Sequence, residues 1–134
     1  MRTETGLGVL HLFCKPGADV DREAVGAALK AVEAAEGQVV TAAMLGHKCD
    51  VAVMALHRDW SVLRGLQGGL QAAGLDVVDS YVSITEVSEY AKGMPIEMQT
   101  PRLHPKLPPE GKPAFCFYPM TKRREPEQNW YTLP

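Results

Sequence analysis

The stretch Val39-Val40-Thr41-Ala42-Ala43-Met44-Leu45-Gly46-His47-Lys48-Cys49-Asp50-Val51-Ala52-Val53-Met54-Ala55-Leu56 sets the architecture of this chain. Two apolar segments, Val39 to Leu45 and Val51 to Leu56, flank a polar connection from Gly46 to Asp50. So short a connection suits an antiparallel hairpin, because parallel strands need a crossover of roughly a dozen residues or more. A hairpin therefore occupies the middle of the sequence, and its flanks determine what it belongs to.

Upstream, residues 7 to 14 form an apolar run closed by Lys15-Pro16-Gly17, a strand followed by a turn. Asp21 can cap a helix reaching about Glu36, with Val25, Leu29 and Val32 on one face and Gly37 at the expected stop. Downstream, Asp59 or Ser61 can start a second helix with Leu63, Leu66 and Leu70 inward. Gly65, Gly68 and Gly69 weaken it by roughly 1 kcal/mol each, so packing must hold it. Gly74 ends it, and Leu75 to Tyr90, rich in Val, Ile, Thr and Tyr, reads as a long last strand. The order is β-α-β-β-α-β, the split arrangement of ferredoxin-like α+β domains, with both helices on one face of a four-stranded antiparallel sheet. The strands are apolar on much of both sides, so the opposite face is expected to meet a second sheet.

The chain of 134 residues suits one domain, and 46% apolar with 22% charged residues suits a packed core. No apolar run approaches the ~18 residues of a spanning helix, and the start lacks the apolar block of a signal peptide. A soluble, cytoplasmic protein without membrane partners is expected. Cys14, Cys49 and Cys116, odd in number and far apart, read as reduced core thiols.

After residue 90 the texture changes. Nine of the ten prolines lie between Pro95 and Pro134, which argues against regular helix and for a stiff, extended connection. The expected division is a domain over 1–90, a linker over 91–113, and from 114 to 134 the truncated start of a second domain, with Ala114-Phe115-Cys116-Phe117-Tyr118 as its first strand. Charge is also uneven: residues 1–90 hold 7 Lys/Arg against 12 Asp/Glu, and residues 91–134 hold 7 against 4, so an anionic ligand is to be sought at the basic end.

That end contains Phe117-Tyr118-Pro119-Met120-Thr121-Lys122-Arg123-Arg124 and then Asn129-Trp130-Tyr131-Thr132-Leu133-Pro134. A phenol that can be oxidised, with a cation four residues on, suits an anionic aromatic ligand. A basic surface turn over packed aromatics would give the same pattern, and spacing alone leaves both open. Nucleic-acid binding is disfavoured, because the net charge is −2 and no stacking-platform motif is present.

These two motifs resemble the signature of the peroxide-dependent coproheme decarboxylases, a haem b synthase branch of the chlorite dismutase superfamily. Leu45 to Asp50, Ser80 to Tyr90 and Pro101-Arg102-Leu103-His104-Pro105 are similar to the same family in the same order. The resemblance implies two ferredoxin-like domains per subunit forming an α+β barrel, assembly as a homo-oligomer, usually a pentamer, and a porphyrin held by the C-terminal domain. It implies an enzyme that takes iron coproporphyrin III and hydrogen peroxide and yields haem b and carbon dioxide. By the same resemblance Tyr118 is the catalytic, redox-active residue, Lys122 and Arg102 hold propionates, and Met120 lines the porphyrin site. A pocket edge with Arg102, Lys106 and Lys122 would offer carboxylates charge-assisted hydrogen bonds. No position matches the proximal histidine or the distal residue, and His11, His47, His57 and His104 all read as structural or solvated. The chain is therefore expected to be an N-terminal portion whose haem-binding half lies in the same or a second chain, inactive alone; the alternatives are a chlorite dismutase-type haem enzyme and a stand-alone ferredoxin-like dimerisation module. Trp130 and Tyr131 read as interface packing.

Overall fold

Asp21 and Asp59 set where the two long helices begin. In the computed structural model, which describes residues 1–46, 48–88, 93–121, 124–125 and 128–129, the Asp21 carboxylate accepts from the N–H groups of Glu23 and Ala24, both at 3.0 Å, and α1 runs Arg22–Ala34. Asp59 accepts from the Ser61 N–H at 2.9 Å, and α2 runs Trp60–Ala72. Each cap satisfies donors that no earlier helical turn can reach. The Ser61 N–H, with help from the N-terminal ammonium at 3.6 Å and Arg2 at 3.5 Å, holds the Asp59 carboxyl down to about 2.

Helix α1 closes on a glutamate where glycine is usual. Glu36 has φ of 63°, its N–H bonds the Glu33 carbonyl, and the Gly37 N–H reaches back to Val32, the two bonds of a Schellman motif. Gly37 is needed for space instead: a Cβ there would sit 2.7 Å from Val32 Cγ1 and 3.1 Å from the Leu56 carbonyl oxygen.

Four strands, β1 (Gly8–Pro16), β2 (Gln38–Ala43), β3 (Val51–His57) and β4 (Leu75–Ile84), form one antiparallel sheet in the order β2-β3-β1-β4. This is the expected ferredoxin-like α+β fold. Leu10, Leu12 and Cys14 of β1 and Val53 and Ala55 of β3 pack beneath Val32 of α1 and Leu63, Leu66 and Leu70 of α2. A Cβ on Gly69 would meet the Ala28 Cβ at 3.0 Å, so this glycine lets α2 approach α1, whereas Gly65 has open space around it. Alternation turns His11 and Phe13 to the other face, opposite Tyr81 and Asp79 of β4.

Four expectations need correction. Strand β4 stops at Ile84, not at residue 90: Ile84 pairs with Gly8, the first residue of β1, and beyond it a single backbone bond, from the Thr85 N–H to the Leu7 carbonyl at 2.8 Å, continues toward β1 among the described residues; residues 89–90 lie outside the described ones. The proline-rich connection contains a helix, α3 (Ile96–Leu103), despite Pro101. Pro95 occupies its N-cap, where a missing N–H is harmless, and Glu97 and Arg102 sit at the ends where their charges complement the helix dipole. Among the described residues, Ala114–Tyr118 joins no strand ladder. Cys116 is exposed, unlike Cys14 and Cys49, which are buried. Residues 124–125 and 128–129 form a two-stranded pair, β5 (Arg124–Glu125) with β6 (Gln128–Asn129). Among the described residues, no helix is long and apolar enough to cross a membrane.

Candidate functional site

The connection after α3 is tied across one end of the sheet. Thr85, just past edge strand β4, donates from Oγ1 to the Leu103 carbonyl at 2.6 Å. Gln38, at the start of the opposite edge strand β2, donates from Nε2 to the Pro105 carbonyl at 2.8 Å and accepts from the Leu107 N–H at 2.7 Å. Its one amide thus satisfies both a donor and an acceptor in a stretch whose prolines prevent ladder pairing. Sequence reasoning missed Gln38; a polar residue opening an apolar strand is the faint signal it left.

From there the chain turns back over the bare sheet face. The Phe117 ring lies 4.6 Å from His11, 5.2 Å from Phe13 and 5.6 Å from Tyr81, and Phe115 lies 6.4 Å from His11. Phe117 and Pro119 also line a cavity of about 450 Å³ with Phe13, Lys48, Cys49 and Tyr81. Odd-numbered residues of this extended segment therefore face the sheet, and even-numbered ones face away. Tyr118 is 67% and Met120 75% exposed as a result, and the same alternation explains the exposed Cys116.

His11 forms the floor of this contact. It is 9% exposed, and its Nδ1 has no hydrogen-bond partner among the described residues. Burial pushes its pKa below the ordinary histidine range, opposed by a hydrogen bond to the Tyr81 backbone.

The candidate residues fall into two groups. Tyr118 and Met120 share the outer side of one segment. Arg102 stands apart on α3, exposed, with one guanidinium nitrogen donating to the Met98 carbonyl at 2.9 Å and contacting Met94 Sδ at 3.4 Å; among the described residues no hydrogen bond joins it to Tyr118. Lys106 is exposed. Lys122, Trp130, Tyr131 and His47 lie outside the described residues.

The profile of the family described as chlorite dismutase matches residues 21–134. The chain belongs to the chlorite dismutase family. Among relatives of this family member, a protein of Haloarcula marismortui named for heme binding is 37% identical over 123 residues, covering 78% of this chain and 18% of the relative. One of Natronomonas pharaonis, named likewise, is 35% identical over 119 residues, covering 76% and 19%. The chain thus spans about a fifth of the length of these curated relatives. A solved structure described as a novel heme-binding protein from Thermus thermophilus superposes with a TM-score of 0.69 at 29% identity, covering 97% of this chain and 60% of that one.

The histidines among the described residues differ in how free their rings are, and His104 is the exposed one. No group of three His, Cys, Asp or Glu among them could hold a metal. Both ring nitrogens of His57 are engaged, Nε2 donating to the Ala35 carbonyl at 2.8 Å and Nδ1 accepting from the Asp59 N–H at 2.8 Å. His11 is buried beneath aromatic rings. The surface offers an exposed phenol, an exposed thioether, a guanidinium and the His104 imidazole.

Proposed function

We propose that this chain is the propionate-facing, N-terminal part of a coproheme decarboxylase, acting on iron coproporphyrin III with hydrogen peroxide. The observation carrying this reading is the outward presentation of Tyr118 and Met120 from a segment whose alternate side chain, Phe117, is half-buried against the sheet. In each turnover one propionate loses carbon dioxide and becomes a vinyl group, one peroxide accepts the two electrons released, and two such steps give haem b. The bound iron porphyrin supplies the reactivity toward peroxide. Tyr118, having given up an electron and its phenolic proton, takes a hydrogen atom from the propionate side chain. Lys122 and Arg102 hold carboxylates through charge-assisted hydrogen bonds, and Met120 packs against the ring. A haem-binding half in the same or a second chain would hold the iron, and the assembled protein is a homo-oligomer.

Tyr118→Phe in the complete protein tests this. The variant is expected to bind iron coproporphyrin III and to yield no haem b, as followed by mass spectrometry of the porphyrin. Normal decarboxylation by the variant refutes the radical role; turnover of chlorite without conversion of coproheme by the unmodified protein refutes the branch.

A further inference from the structure

We infer that the N-terminal sheet orients Tyr118, with Phe117 as the positioning residue that fixes its direction; this rests on the decarboxylase reading above. The Tyr118 ring is 67% exposed, so little of the protein packs against the ring itself. Its direction is set through the backbone. On one side, Phe117 is held among the rings of His11, Phe13 and Tyr81 with centroids 4.6 to 5.6 Å away, the range in which aromatic pairs attract beyond simple area burial. On the other side, Pro119 excludes helical backbone for the residue before it and keeps Tyr118 extended. Neighbours in an extended segment point to opposite sides, so packing Phe117 against the sheet turns the Tyr118 phenol away from it. Upstream, the Gln38 amide anchors the connection at Pro105 and Leu107 before the chain turns onto the face.

The sheet face left bare by the helices therefore has a function in catalysis without touching substrate. Phe117 belongs to the positioning of Tyr118, not to porphyrin binding, so its loss should appear in kcat and not in affinity. A misplacement of about 1 Å at a reacting group can lower turnover by about 100-fold.

The test compares Phe117→Ala and Phe117→Leu in the full-length protein loaded with iron coproporphyrin III. Phe117→Ala is expected to lower kcat for haem b formation by about 10- to 100-fold while coproporphyrin affinity stays within about twofold. Phe117→Leu, which refills the seat, is expected to recover most of the loss. In the nuclear magnetic resonance spectrum, contacts from Phe117 to the His11 and Tyr81 rings should be present in the parent protein, and the Tyr118 resonances should move toward random-coil positions in Phe117→Ala. An unchanged kcat in Phe117→Ala with those resonances moved overturns the positioning role, as does an equal loss of kcat and affinity that Phe117→Leu fails to repair. Failure of the parent protein to convert coproheme overturns the decarboxylase reading itself, and is told apart because it needs no variant.

Discussion

The ring centroid of Phe117 lies 4.6 Å from that of His11, on the sheet face opposite α1 and α2. This contact joins the two ends of the described chain: a residue of the first strand and a residue beyond the proline-rich connection share one buried surface. It also explains how an imidazole can sit at 9% exposure with Nδ1 lacking a hydrogen-bond partner among the described residues. The aromatic packing stabilises an arrangement that the lost hydration of that nitrogen opposes.

Stability should fall on mild acidification because of His11. Burial lowers its pKa in the folded chain, so the unfolded chain takes up a proton first as pH drops. The contribution of neutral His11 is complete above about pH 6.5, the unfolded value, and is lost progressively as pH falls from there toward the lower folded value. His11→Phe keeps a ring against Phe117 and removes the titrating group. Urea melts of both proteins between about pH 5 and about pH 7 should show a flatter dependence for the variant; parallel curves would mean that another group controls the slope.

Replacing Glu36 by glycine should stabilise the chain. A non-glycine residue at φ of 63° carries a steric penalty of about 1 to 2 kcal/mol, partly offset by the greater freedom glycine brings to the unfolded chain. A net gain of up to about 1 kcal/mol is expected from denaturant unfolding. A loss would show that the Glu36 side chain makes a contribution beyond its backbone.

The hairpin, both helices and the strand order follow from patterns the sequence displays openly. Val25, Leu29 and Val32 recur at helical spacing, Asp21 and Asp59 are both capping residues, and the Gly46 to Asp50 connection admits little but a hairpin. The errors arose where tertiary partners overrule local pattern. Strand β4 looks continuous to Tyr90 because Val, Ile and Thr persist, yet the length of a ladder is set by its neighbour, and β1 begins at Gly8. Helix α3 was hidden by Pro95 and Pro101, although proline is compatible with a helix N-cap. For the candidate site, Tyr118, Met120 and Arg102 are all proposed from motif resemblance. The seat of Phe117 was not legible, since no local rule pairs a first-strand histidine with a phenylalanine more than 100 residues away.

Gln38→Ala should loosen the segment over the sheet without unfolding the domain. Two hydrogen bonds, to Pro105 and from Leu107, are lost, at roughly 0.5 to 1.5 kcal/mol each. Hydrogen exchange at the Leu107 amide should accelerate, while amides of β1 and β3, which lie inside the sheet, keep their protection. Unchanged exchange at Leu107 would mean that another contact pins this stretch.

Arg102 offers a test of ligand class that does not depend on turnover. One of its terminal nitrogens serves the Met98 carbonyl and Met94 Sδ, which anchors the planar group on α3, and the remaining donors of the fork face solvent at an exposed position. A carboxylate could be held by those donors without breaking the intrahelical bond. Lysine has a single charged centre and cannot serve both partners in fixed geometry, so Arg102→Lys is not conservative here. A charge-assisted hydrogen bond of about 1.5 to 3 kcal/mol corresponds to roughly 10- to 100-fold in affinity. Arg102→Ala should therefore weaken ferric coproporphyrin, with four carboxylates, by about that factor, with Arg102→Lys intermediate. Binding of a porphyrin carrying only the two retained propionates should change less if Arg102 serves a propionate that is removed. Equal weakening of both porphyrins would assign Arg102 to a retained carboxylate, and no weakening of either, measured by the shift of the Soret band on titration, would remove it from the site.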